Sequence, residues 1–111
     1  MLRKWIPLFA ALLPMVANAT GGASGAQQIT QINTDSYNGF IEIVGVSAWG
    51  NPDGCSNAST VVVPLSNPNY RDMLASALMA SATGKNVQFW VVGCASTPWG
   101  TEPIAVTIMT Y

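Results

Sequence analysis

The side chains able to do chemistry in this 111-residue chain are few, and one type is missing altogether: there is no histidine. Its absence removes the usual general base, the Ser-His and Cys-His nucleophile pairs and the commonest metal ligand. Carboxylates remain. Asp35, Glu42, Asp53 and Glu102 are candidates for glycoside hydrolysis, which needs two carboxyl groups facing one cleft about 5 to 9.5 Å apart. Their neighbours argue against it. Asp35 precedes a hairpin turn, Asp53 sits in a Pro-Asp-Gly turn, and Glu42 is expected on the outer side of a strand. The expectation is a chain that is not an enzyme, with no catalytic residue, metal or cofactor.

Binding chemistry is better represented. Trp49 is followed by Gly50, and Trp99 lies between Pro98 and Gly100, so each indole is expected on a loop near one of the two cysteines. A flat aromatic face on a tethered loop can stack on a sugar ring or enter a protein partner. It can equally fold inward to fill the core of a small domain. The stretch AWGNPDGCS, residues 48–56, is therefore a pinned loop that serves either as a plug or as a binding rim, and both readings stand.

The pin is Cys55 with Cys94. The two are distant in sequence and lack a CxxC spacing, so a structural disulfide is expected rather than a redox centre. The exporting signal agrees with this. Residues 1–19 carry Arg3 and Lys4, then an apolar run too short to span a membrane and interrupted by Pro7 and Pro14, then Ala17-Asn18-Ala19. This reads as a secretory signal peptide, which places the mature chain outside the cell or in the periplasm, with no membrane anchor.

Without residues 1–19, 92 residues remain, enough for one domain. Arg71 and Lys85 then face five carboxylates, a net charge of −3. Two cations cannot build a phosphate-binding surface, which excludes nucleic acid as a partner.

The elements that must position these residues follow from periodicity. Residues 20–26 read as a flexible lead-in, either disordered or settled against the body, and residues 27–111 as the domain. Strands are expected at 27–33 (QQITQIN), 40–47 (FIEIVGVS), 60–65 (TVVVPL), 86–93 (NVQFWVVG) and 104–111 (IAVTIMTY). Asn38-Gly39 marks a hairpin, Gly45 a bulge or bend, and Pro64 an edge or a strand end. Asn67 suits a helix N-cap and Pro68 the first helical position. Tyr70, Met73, Leu74, Ala77, Leu78 and Ser81 then share one face, Met73 and Met79 read as helix packing, and Gly84 stops the helix. Three strands, a helix and two strands are the order of an OB-fold, a five-stranded Greek-key barrel with a helix between strands three and four. A helix packed on an open sheet is the alternative.

SGAQQITQI near the mature start, a cysteine before the third strand and YRDMLASALMASATGKNVQFWVVG together resemble the B subunit of subtilase-type AB5 cytotoxins and small secreted bacterial proteins similar to it. The resemblance spans residues 24–109. It implies an OB-fold, a ring of five subunits with helices lining the pore, a catalytic A-type companion chain and recognition of glycans, often sialylated. The family's sugar-contacting serine falls on Ser24. An aromatic pocket residue of the family falls near Val91, which is aliphatic here, and the cysteine arrangement also differs. Carbohydrate binding through Ser24 with Trp49 or Trp99 nearby is the leading expectation; a structural or protein-interaction domain without a glycan ligand is the alternative.

Overall fold

The structure, a computed structural model, describes residues 20–111; the signal peptide read in residues 1–19 lies outside the described residues. Six strands and one helix follow in the order β1 (Gly22–Ala23), β2 (Gln27–Asp35), β3 (Phe40–Gly45), β4 (Thr60–Pro64), α1 (Tyr70–Thr83), β5 (Asn86–Thr97) and β6 (Gly100–Thr110). The fold is mainly β. Neighbours along the sheet are β1-β5-β2-β3-β4-β6, and β5 also pairs with β6, so the five longer strands are joined in a closed circuit. All pairings are antiparallel except β4 with β6, which meet in parallel at Val62 and Ile104.

Residues 20–26 belong to this body. Gly22 and Ala23 pair with Val91 and Trp90 of β5, and the N–H groups of Thr20 and Gly21 donate to the Asp53 carboxylate. The lead-in is therefore settled against the body, the second of the two alternatives left by the sequence.

Period-two alternation sorts the strands into an inward and an outward face. Ile41 and Ile43 of β3, Val61 and Val63 of β4, and Val87, Phe89 and Val91 of β5 enclose the core with Ile29, Trp49 and Ala105. Met73, Ala77 and Ala80 of α1 close one end of it. Met79, expected as packing, lies on the exposed side of the helix. Two of its three buried residues, Ala77 and Ala80, are small, so little side-chain mass on α1 enters the core.

The helix begins later than expected. Its N-cap is Asn69, whose side chain makes no capping bond. Asn67 instead accepts the Asn69 N–H on its Oδ1 and the Tyr70 N–H on its backbone carbonyl, which turns the Pro68 segment into the helix. It ends where expected. Gly84 adopts φ 69°, the left-handed conformation that costs glycine little, and its N–H and that of Lys85 both donate to the Ala80 carbonyl.

The β2–β3 register slips between Ile29 and Gln31, opposite Gly45 and Val44, so the bulge lies on β2 and Gly45 marks its partner. β5 and β6 run well past the expected ends, to Thr97 and from Gly100, and form a long two-stranded arm. Its tip is the two-residue turn Pro98-Trp99, and this arm carries one wall of the cavity described next.

Candidate functional site

A cavity of about 520 Å³ opens on the outward face of β2, β3 and β4, lined by Asn33, Thr34, Asp35, Glu42, Asn57, Ser59, Thr60, Trp99 and Glu102. The strand registers explain the grouping. Asn33 of β2 pairs with Glu42 of β3, which pairs with Val62 of β4, and directly paired residues share a face. Because Ile41 and Ile43 point inward, Glu42 and its partners must point outward. The sequence reading placed Glu42 on that side, and alternation is silent on whether anything covers it. It is only 5% exposed, because the 55–59 loop and the start of β6 fold over it.

Three hydrogen bonds and one covalent bond hold that cover down. The N–H groups of Ser56 and Asn57 donate to the Thr101 Oγ1 and carbonyl at 2.8 Å each, and the Thr101 N–H donates to the Ser56 Oγ at 2.9 Å. Cys55 and Cys94 form the expected disulfide, with Cα atoms 5.6 Å apart. The N-terminal end of the same loop does something different. Trp49 is 3% exposed, its ring meets Phe89 edge-on at 5.1 Å, and its Nε1 donates to the Ile43 carbonyl at 3.2 Å. The AWGNPDGCSNAS loop is thus a plug at Trp49 and a cavity wall from Cys55 to Ser59.

Of the three expected ligand-binding residues, only Trp99 lines the cavity. It sits at the hairpin tip, 58% exposed, its N–H bonded to the Thr97 hydroxyl. Trp49 presents no ring face to a ligand, which corrects that assignment. Ser24 is 4% exposed and spent on the backbone: its Oγ accepts the Phe89 N–H at 2.8 Å and donates to the Gly25 carbonyl, while its own N–H donates to the Phe89 carbonyl. β1 and β2 run along the same edge of β5, and Ser24 bridges the break between them. Its hydroxyl replaces the strand carbonyl that Phe89 would otherwise lack. Its carbonyl accepts the Gly50 N–H at 2.7 Å, and a side chain at residue 50 would collide with the Ala23 carbonyl, so the Trp49 loop can approach only through glycine.

Three of the four carboxylates considered from sequence, Asp35, Glu42 and Glu102, meet at this cavity. Asp53 does not; it accepts the N–H groups of Gly93, Thr20 and Gly21, which hold its carboxyl below the usual range. Asp35 is held low by the Asn38 side-chain amide and backbone N–H, so it caps its own turn while bordering the cavity. Glu102 goes the other way. It is 1% exposed, and burial first, then the hydrogen bond and charge of Glu42, push its carboxyl up to about 7 against opposition from Thr97 and Asn57. Asn57 Nδ2 donates to Glu102 Oε2 at 2.9 Å, whereas Oε1 finds no donor among the described residues. Burial of this depth beside a second carboxyl group favours the protonated form of Glu102.

This raised value has a sign. A proton held more tightly in the folded than in the unfolded chain stabilises the fold below the ordinary carboxylate value of 4.5, and that stability is lost as pH rises to about 7. Asp35 and Asp53 act oppositely, adding stability above 3.8 that is lost in acid. Urea unfolding is expected to be hardest near about pH 4 to 5 and to ease toward pH 8, at no more than about 1.4 kcal/mol per pH unit for one proton. Glu102→Gln, which keeps the shape and offers Glu42 an N–H, is expected to flatten that decline; an unchanged decline would mean that Glu102 is not its source.

The carboxylate pair was invisible from sequence because sixty residues separate its members. The available signal was the run Glu102-Pro103 inside an otherwise apolar strand segment. Asn57-Ala58-Ser59 fits the Asn-x-Ser glycosylation pattern, but its side chains are engaged internally: Asn57 holds Glu102 with its Nδ2, and its Oδ1 accepts the Ser59 N–H and hydroxyl. No cluster of metal-ligating side chains occurs among the described residues. No protein-family model, curated protein or solved structure matches this chain.

Proposed function

We propose that this protein is a non-enzymatic carbohydrate-binding module with an OB-fold-like barrel, exported to the periplasm or beyond, that takes its ligand in the Trp99 cavity. One observation carries this reading: an exposed indole at a hairpin tip borders an open cavity whose other walls are amide, hydroxyl and carboxylate groups. An indole face covers the apolar face of a sugar ring while such groups receive its hydroxyls. The closed circuit of five strands with a helix between the third and fourth of them supports the barrel. The Cys55–Cys94 disulfide supports an oxidising compartment, and no helix among the described residues is long and apolar enough to cross a membrane.

Trp99→Ala tests the site. Calorimetric titration with the best saccharide from a glycan array is expected to show a loss of about 2 kcal/mol, near thirtyfold in Kd. Stability is expected to stay within about 0.5 kcal/mol, since the ring is exposed. Unchanged affinity would move the ligand elsewhere.

A protein-interaction domain is the second reading, and it has its own observation. Leu78 and Met79 stand exposed on α1, and Trp90, Val106 and Met109 on the β5–β6 arm. Sedimentation velocity at micromolar concentration separates a monomer from self-assembly, a ring of five included.

A further inference from the structure

The charge and hydrogen-bonding inventory of the cavity specifies more than a saccharide. Asp35, Glu42 and Glu102 all border it, and no positive side chain does. The two cations of residues 20–111 are placed elsewhere: Arg71 lies over the Tyr70 ring at 5.6 Å, and Lys85 lines a separate small cavity with Ser76, Met79 and Thr110. Glu102 Oε1, buried with no donor, is an acceptor left without a partner in the wall of the cavity. A buried acceptor of this kind is costly until a donor reaches it. Trp99 adds a second attraction for positive charge, since the face of an indole is the strongest aromatic partner for a cation.

Resting on the saccharide-binding reading, we infer that the cavity selects saccharides bearing a free amino group, a cationic amino sugar, and disfavours those bearing a carboxylate. The ammonium donates to the Glu102 and Glu42 carboxyl groups, while the ring lies against Trp99. Asp35, ionised through its bonds to Asn38, sets the sign of the field at the mouth. A carboxylated sugar such as sialic acid would meet three carboxyl groups with no compensating cation. An N-acetylated sugar keeps one N–H donor but loses the charge.

The experiment is calorimetric titration of the oxidised protein at pH 7 with four oligosaccharides of similar length: fully deacetylated glucosamine trimer, its N-acetylated counterpart, a neutral glucose trimer and sialyllactose. The amine is expected to bind roughly ten- to a hundredfold more tightly than the neutral and N-acetylated sugars, the ratio given by a charge-assisted hydrogen bond. Sialyllactose is expected to bind most weakly. In Glu102→Gln the amine-to-neutral ratio is expected to fall toward one. Equal binding of amine and neutral sugars, or preference for sialyllactose, overturns this selectivity and leaves saccharide binding standing. Binding of none of the four nor of any arrayed glycan overturns both.

Discussion

Replacing Cys55 and Cys94 together by alanine is expected to lower the unfolding free energy by roughly 4 kcal/mol, the chain-entropy value for a loop of this length. The bridge spans 39 residues, and everything from β4 through α1 lies inside it. For a small domain with about 5 to 15 kcal/mol of total stability, that loss removes a large share. Its effect on the cavity is as specific as its effect on the fold. Cys55 is the anchor of the segment carrying Asn57 and Ser59, and without it the hydrogen bonds of Ser56 and Asn57 to Thr101 and Glu102 are left to keep that wall against the β5–β6 arm. Denaturant melts of the variant, and of the native protein with and without reductant, are expected to show the same loss. Equal midpoints in oxidised and reduced protein would mean that the cross-link constrains nothing.

Trp49→Ala is expected to cost about 3 to 5 kcal/mol, the range for emptying a buried large aromatic site. Three separate contacts are lost: the edge-on packing with Phe89, the hydrogen bond to the Ile43 carbonyl, and the cover over the core between β3 and β5. Trp49→Phe keeps most of the packing and forfeits the indole N–H, so its expected cost is about 1 to 2 kcal/mol. The contrast with Trp99→Ala, which barely changes stability, separates the two tryptophans by role. A melt in which both alanine variants behave alike would contradict that division.

Local grammar was legible in the sequence and long-range covering was not. The strands at 40–45, 60–64 and 86–93 and the end of the helix at Gly84 follow from alternation and from one glycine. These are decided by neighbours within a few residues. Asn67 misleads because its side chain finds a turn partner at Asn69 before it can cap the helix. Glu42 misleads for a longer-range reason. Alternation correctly turns it away from Ile41 and Ile43, but alternation is silent about a loop some fifteen residues onward and a strand sixty residues onward closing over that face. Ser24 is placed in a sugar site by resemblance alone, and a match of that kind is silent about β5, whose Phe89 takes the hydroxyl. The tryptophans show the limit most clearly. Each lies beside glycine near a cysteine, yet Phe89 claims one and the other stays exposed, and only the fold decides which.

The Trp99 cavity is the central claim, and amide spectra of isotopically labelled protein test it most directly. On titration with a bound saccharide, the Trp99 indole N–H and the side-chain amides of Asn33 and Asn57 are expected to shift first and furthest, while the Trp49 indole and the Ser24 amide stay within small perturbations. Shifts centred on Ser24 and Trp49, with the Trp99 indole unmoved, would contradict it.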